Sequence, residues 1–152
     1  MPAIFETPSA LLGRVGEDFG PTGWVEIDQK RVDLFAEATG DHQWIHIDAE
    51  RAKDGPFGGT IAHGFLTLSL LPKFFETAIE VRNTRMGVNY GLNRVRFTAP
   101  VPAGSRLRAV MKLLACEPVA NDGMQMTWQV TVEREGSDKP VCVAESLSRR
   151  YP

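Results

Sequence analysis

A chain of 152 residues, 43% hydrophobic and 24% charged, has the length of one ordinary folded unit and the balance of a globular protein, which excludes intrinsic disorder. Its formal net charge of -2 at pH 7 gives no electrostatic reason to expect a nucleic-acid partner. No apolar run approaches the roughly 20 residues needed to span a bilayer, and the amino terminus lacks the blocks of a signal peptide, so the chain reads as cytoplasmic with no membrane partner.

Residues 1–12 read as a short helix or arm, followed by a loop set by Gly13, Gly16, Gly20, Pro21 and Gly23. Trp24 to Ile27 forms a brief strand. Asp28 then caps a helix whose Val32, Phe35, Ala36 and Thr39 share one face, and Gly40 stops it. Between Asp41 and Thr60 the chain is irregular, apart from one helical turn capped by Asp48. His63-Gly64 opens a strongly apolar helix to about Ile79, apolar on so many sides that other structure must enclose it, with a kink at Pro72. From Arg85 the period changes to alternation. Two long strands, about Ser105–Glu117 and Met124–Glu135, are joined by Asn121-Asp122-Gly123, an Asp-Gly hairpin signal, and a last strand covers about Pro140–Arg150. The fold class is α+β: a single domain over 1–152, with an antiparallel sheet of about five strands around one long apolar helix. One sheet covers such a helix on one side only, so pairing of two sheets in a homodimer is expected.

Few residues titrate usefully near neutrality. His42 and His46 fall in the irregular stretch between Asp41 and Asp48, beside the amide of Gln43, and His63 begins the apolar helix. Loops between helices are where binding groups concentrate. A carboxylate and an imidazole five positions apart, Asp41 and His46, can converge on one water molecule. Cys116 and Cys142 lie in apolar runs and read as small buried hydrophobes. Arg94 and Arg96 read as solvated strand charges rather than phosphate ligands, and Trp44 as a core packing residue.

The segment Gly40-Asp41-His42-Gln43-Trp44-Ile45-His46-Ile47-Asp48 resembles the hydratase motif of the MaoC-like dehydratases, the R-specific enoyl-CoA hydratases. Ile61-Ala62-His63-Gly64-Phe65-Leu66 looks like the start of that family's central helix, and Val95 to Val101 is similar to its following strand and turn. The departure is Gln43-Trp44, where the family has Asn-Pro. The resemblance implies a hot-dog fold and reversible hydration of a trans-2-enoyl thioester to an (R)-3-hydroxyacyl thioester, in fatty acid metabolism. It implies Asp41 and His46 as the catalytic pair and the N–H of Gly64 as donor to the thioester oxygen. Gln43 and His63 are further candidates to bind or line the substrate. No cofactor is expected, coenzyme A entering only as part of the substrate.

Three other readings stand beside it, one of them a non-catalytic acyl-thioester binder or a subunit that needs a partner chain. An acyl-CoA thioesterase on the same scaffold would also use a carboxylate and a helix start. A metal site is suggested by the spacing of His42 and His46, with Asp41, Asp48 and His63 as added ligands, but Gly40 and the Gly/Pro-rich continuation argue against the helix it needs.

Overall fold

The computed structural model describes residues 1–152. Strand β1 (Ala3–Phe5) and a 3₁₀ helix (Pro8–Arg14) precede β2 (Asp18–Phe19) and β3 (Val25–Ile27). Helices α1 (Gln29–Thr39), α2 (Trp44–Ile47), α3 (Ala49–Ala52), α4 (Gly64–Ser69) and α5 (Leu71–Ala78) follow. The chain then forms β4 (Ile79–Val81), β5 (Met86–Arg96), β6 (Ser105–Val119), β7 (Gly123–Arg134) and β8 (Cys142–Tyr151).

The main sheet is antiparallel in the order β2-β6-β7-β8-β5, with β3 also pairing with β6. It has six strands rather than five, because the glycine-rich loop after the 3₁₀ helix supplies the two-residue β2. Period-2 alternation sets its buried face: Leu107, Ala109, Met111 and Leu113 from β6, Met124 through Val132 in steps of two from β7, then Cys142 and Ala144 from β8. Leu66, Leu70, Leu71, Phe74 and Ala78 from α4 and α5 pack in the same core. A separate parallel pair, β1 with β4, ties the amino terminus across the end of α5.

Local chemistry explains the boundaries. The Asp28 carboxylate accepts from the Arg31 N–H, and Gly40 closes α1 in the left-handed region at φ 82° with its N–H on the Ala36 carbonyl. The hairpin between β6 and β7 turns on Asn121 and Asp122, both at positive φ (64° and 58°), as a type I′ turn requires. The turn's central pair is thus Asn-Asp rather than Asp-Gly.

The expected single helix is two. A proline at position 72 has no N–H for the Leu68 carbonyl and crowds the preceding turn, so the chain breaks at Leu70 and Pro72 sits in the first turn of a new helix, where no N–H is needed. Enclosure is also incomplete. Phe65, Ser69, Pro72 and Glu76, spaced along one stripe of α4 and α5, remain exposed. They line a cavity of about 800 Å³ between these helices and the β5 end of the sheet.

Strand β5 is an edge. It pairs with β8 alone, with register shifts between Asn89 and Gly91 and between Leu92 and Arg94. Its Met86, Val88, Tyr90 and Leu92 are all exposed, so the alternating apolar residues there do not serve this chain's core.

Trp44 is a further correction: it is half-buried outside the core, sandwiched between the Arg51 guanidinium, 4.3 Å from its ring centroid, and the backbone at Gly55. Cys142 is fully buried while Cys116 is half-buried, and both are free thiols. Burial pushes the Cys142 thiol up to about 11, so at neutral pH it stays protonated and inert.

Two outcomes check this description. Phe74→Ala, which empties the centre of the core, should cost about 3–5 kcal/mol of stability by chemical denaturation. Thiol titration of the native protein at pH 8 should leave Cys142 unlabelled until the chain is unfolded.

Candidate active site

The functional loop is held from three directions by backbone bonds. The Ile61 N–H donates to the Ile45 carbonyl at 3.0 Å, and the Ala62 N–H donates to the Val101 carbonyl at 2.8 Å. From α1, the Gln29 side-chain amide donates to the His46 carbonyl at 2.8 Å and accepts from the Thr60 hydroxyl at 2.6 Å. One side chain thereby ties α1, α2 and the strand-like stretch before α4. Nothing in the sequence singles out Gln29, since a polar residue in a first helical turn is ordinary.

His46 lies on α2, a helical turn absent from the expected irregular stretch, and is buried. Its Nδ1 is 2.7 Å from the Ile61 carbonyl. A carbonyl only accepts, so Nδ1 carries the hydrogen and Nε2 presents its lone pair. That is the tautomer a general base needs.

His63 is also buried, at the N-cap of α4. Its Nε2 donates to the Asp41 main-chain carbonyl at 3.0 Å, and its Nδ1 is buried without a partner. The two imidazoles stack, with centroids 3.8 Å apart and planes inclined by 24°, and the Phe35 ring packs against His63 at 4.9 Å, tilted by 55°. The Asp41 side chain is exposed, with one oxygen accepting from the Gln43 N–H at 3.3 Å. Asp41, His46 and His63 bring potential donor atoms within 4.8 Å of one another. His46 keeps a lone pair on Nε2, the solvent-facing Asp41 carboxylate lies within 4.8 Å of one of the His46 ring nitrogens, and His63 stacks on that ring.

Among the other expected site residues, Gly64 opens α4 with no side-chain cap, so no side chain occupies the first N–H groups of that helix. A Cβ at Gly64 would meet the Phe97 ring at 2.8–2.9 Å, which explains why glycine stands there. Gln43 is exposed and its side-chain amide makes no hydrogen bond; it serves as the N-cap position of α2. His42 points outward, 3.8 Å from Glu37, and Asp48 caps α3 through the Arg51 N–H, so neither joins the cluster. A metal held by both His46 and His63 would need their in-plane lone pairs to converge, which nearly parallel stacked rings do not allow.

The large cavity is lined by neither Asp41 nor His46. Contact between the two regions runs through Phe65, which lines the cavity and packs edge-on against Phe97 at 6.0 Å, while Phe97 covers Gly64.

Residues 11–135 match the family model described as the MaoC like domain. The chain is 54% identical over 145 residues to 3-hydroxyacyl-thioester dehydratase Z of Mycobacterium tuberculosis, covering 95% of this chain and 96% of that protein. Among solved structures it is similar to the R-hydratase PhaJ1 from Pseudomonas aeruginosa, with a TM-score of 0.70, 26% identity, and coverage of 90% of this chain and 81% of that one. The HadBC (3R-hydroxyacyl-ACP dehydratase) complex from Mycobacterium tuberculosis shares the fold at a TM-score of 0.67 and 17% identity, covering 89% of this chain and 96% of that one.

Gly64→Ala should displace Phe97 and cost about 1–3 kcal/mol of stability, as overpacking does. Adding Phe97→Ala should make the double variant more stable than the sum of the two single changes predicts, measured as a double-mutant cycle.

Proposed function

The chain belongs to the MaoC-like family with its hot-dog fold and is a hydro-lyase acting on acyl thioesters; we propose that it reversibly hydrates trans-2-enoyl-CoA to the (R)-3-hydroxyacyl thioester in fatty acid metabolism. The observation that carries this reading is buried His46, whose Nδ1 is fixed by the Ile61 carbonyl so that Nε2 keeps its lone pair, with a ring nitrogen within 4.8 Å of the Asp41 carboxylate. Water placed between them loses a proton to the pair as its oxygen adds to C3. The electron pair of the double bond moves toward the thioester, whose oxygen gains enolate character, and the pair returns the proton to C2. A coupled carboxylate and imidazole share that proton, so the pair acts as one group.

The Gly64 N–H is our choice for the donor to the thioester oxygen, a contribution of about 3 kcal/mol for groups of this kind. His63 supports the pair rather than touching substrate, since its one donating nitrogen is committed to the Asp41 main chain. Gln43 is left a minor part, in contact with bound substrate at most. Coenzyme A enters as part of the substrate and no separate cofactor is required. The whole of residues 1–152 acts as one catalytic domain, in the cytoplasm.

We read the unpaired edge of β5, with Met86, Val88, Tyr90 and Leu92 exposed, as the seam of a homodimer in which two sheets continue across a two-fold axis. Sedimentation should give twice the chain mass, and Val88→Lys should shift the population toward monomer.

Loss of enoyl absorbance from crotonyl-CoA tests the chemistry. Asp41→Asn and His46→Ala should each lower kcat by about 10²–10⁴-fold. Release of free coenzyme A with no loss of that absorbance would instead make the protein a thioesterase. His63→Leu should lower kcat about tenfold with little change in KM, because the pair is misplaced rather than removed. His63→Gln, which keeps an N–H for the Asp41 carbonyl, should recover most of that loss.

A further inference from the structure

The inner sheet face beneath the cavity changes character toward β5. Over most of β6, β7 and β8 it is apolar, but at its end Ser146, Ser148 and Arg150 of β8 and Asn89 of β5 share that face, by period-2 spacing and by the register pairs Asn89 with Ser148 and Gly87 with Arg150. All four line the cavity, and none of their side chains makes a hydrogen bond within the protein. The neighbouring Arg149 also borders the cavity but is already engaged, stacked over Tyr90 at 3.7 Å and donating to the Gln125 side-chain oxygen at 2.9 Å.

Arg150 is the anomaly. It is half-buried and forms no ion pair, and burial alone holds its guanidinium below its ordinary value, with no carboxylate to offset the cost. Glu76 and Glu80 line the same cavity, yet neither lies within ion-pair distance of it, and Glu80 is already bonded to Arg82 at 2.9 Å. Gly87 has no side chain to block it: a Cβ there would lie 4.0 Å from the Arg150 Nη1. A partly desolvated guanidinium beside two free hydroxyls and a free amide is a ready-made set of donors for a planar or tetrahedral oxyanion. Opposite it stand Phe65, Leu68, Leu71 and Phe75, which suit a hydrocarbon stem.

We propose that Arg150, assisted by Ser148, Ser146 and Asn89, binds an anionic oxygen group carried by the thioester substrate at the end of an apolar stem lying between α4–α5 and the sheet. The proposal rests on the enoyl-thioester reading and adds to it a substrate class. The oxyanion has two sources: a carboxylate at the far end of the acyl chain, or a phosphate of the carrier.

Calorimetric titration with three saturated, unreactive ligands separates them: hexanoyl-CoA, adipoyl-CoA (the same chain ending in a carboxylate), and hexanoyl-N-acetylcysteamine, which has no phosphate. If the acyl end is the source, adipoyl-CoA binds the wild type about tenfold more tightly than hexanoyl-CoA, and Arg150→Met abolishes the difference. If the carrier is the source, Arg150→Met weakens both coenzyme A ligands about tenfold and leaves the cysteamine thioester unchanged. Ser148→Ala should weaken the same ligand about threefold, and it decides the matter if Arg150→Met does not fold. Unchanged affinity for all three ligands overturns the proposal. So does equal weakening of all three with a change in solution mass, which would give Arg150 to a subunit interface. Crotonyl-CoA hydration by the wild type is read separately: activity without Arg150 dependence removes the anion site alone, and Arg150 dependence without activity removes the hydratase reading alone.

Discussion

A pair of consecutive helices that a single sheet can cover on one side only is the constraint from which the rest of this molecule follows. The sheet takes Leu66, Leu70, Leu71, Phe74 and Ala78 into the core, where burial at about 25 cal/mol per Å² drives folding. Phe65, Ser69, Pro72 and Glu76 stay on the far stripe. The uncovered stripe is why a cavity exists at all, and why it sits beside an unpaired sheet edge rather than in the closed half. The start of α4 fixes Gly64 and His63, so the core and the site share one scaffold.

Within that scaffold, rigidity at the site comes from main-chain bonding more than from packing. Both buried imidazoles spend one nitrogen on a peptide carbonyl, His46 on Ile61 and His63 on Asp41. Stacking then fixes the rings' separation. The exposed carboxylate is free to meet water, while the His46 ring is not free to turn. Phe65 and Phe97 stand between this pair and the cavity, in an edge-on aromatic contact on the exposed side of α4.

Much of this was legible in the sequence, for reasons that differ by element. Helix α1 was readable because its start and stop are local: Asp28 caps it and Gly40 ends it without help from the rest of the chain. Strands β6 to β8 were readable because burial of one face imposes a period of two. Helix α2 was not, since four residues carry no period, and its existence depends on Gln29 and Ile61 reaching it from elsewhere. The break at Leu70 was half visible: proline announces a disturbance, but only packing decides between a bend and a new helix. The motif singled out Asp41 and His46 as the proposed pair, whereas the contact of His63 with the Asp41 carbonyl joins residues 22 positions apart and has no local signature. Arg150 was invisible, because a charge on a strand acquires meaning only when the face it shares, and the partner it lacks, are known.

The bond from His46 to the Ile61 carbonyl has a consequence for how this site tolerates change. A peptide carbonyl is present whatever side chain its residue bears, so no single substitution at position 61 deletes the acceptor that sets the tautomer. The same holds for the Asp41 carbonyl that receives His63. Side chains around the pair are thereby released from the duty of orienting it. Gln43 and Trp44 stand where the family motif has an amide and a proline, and neither makes a hydrogen bond to the imidazoles. Anchoring an imidazole to the backbone makes its surroundings mutable, which leaves the loop open to drift in its side chains while the ring's orientation stays fixed.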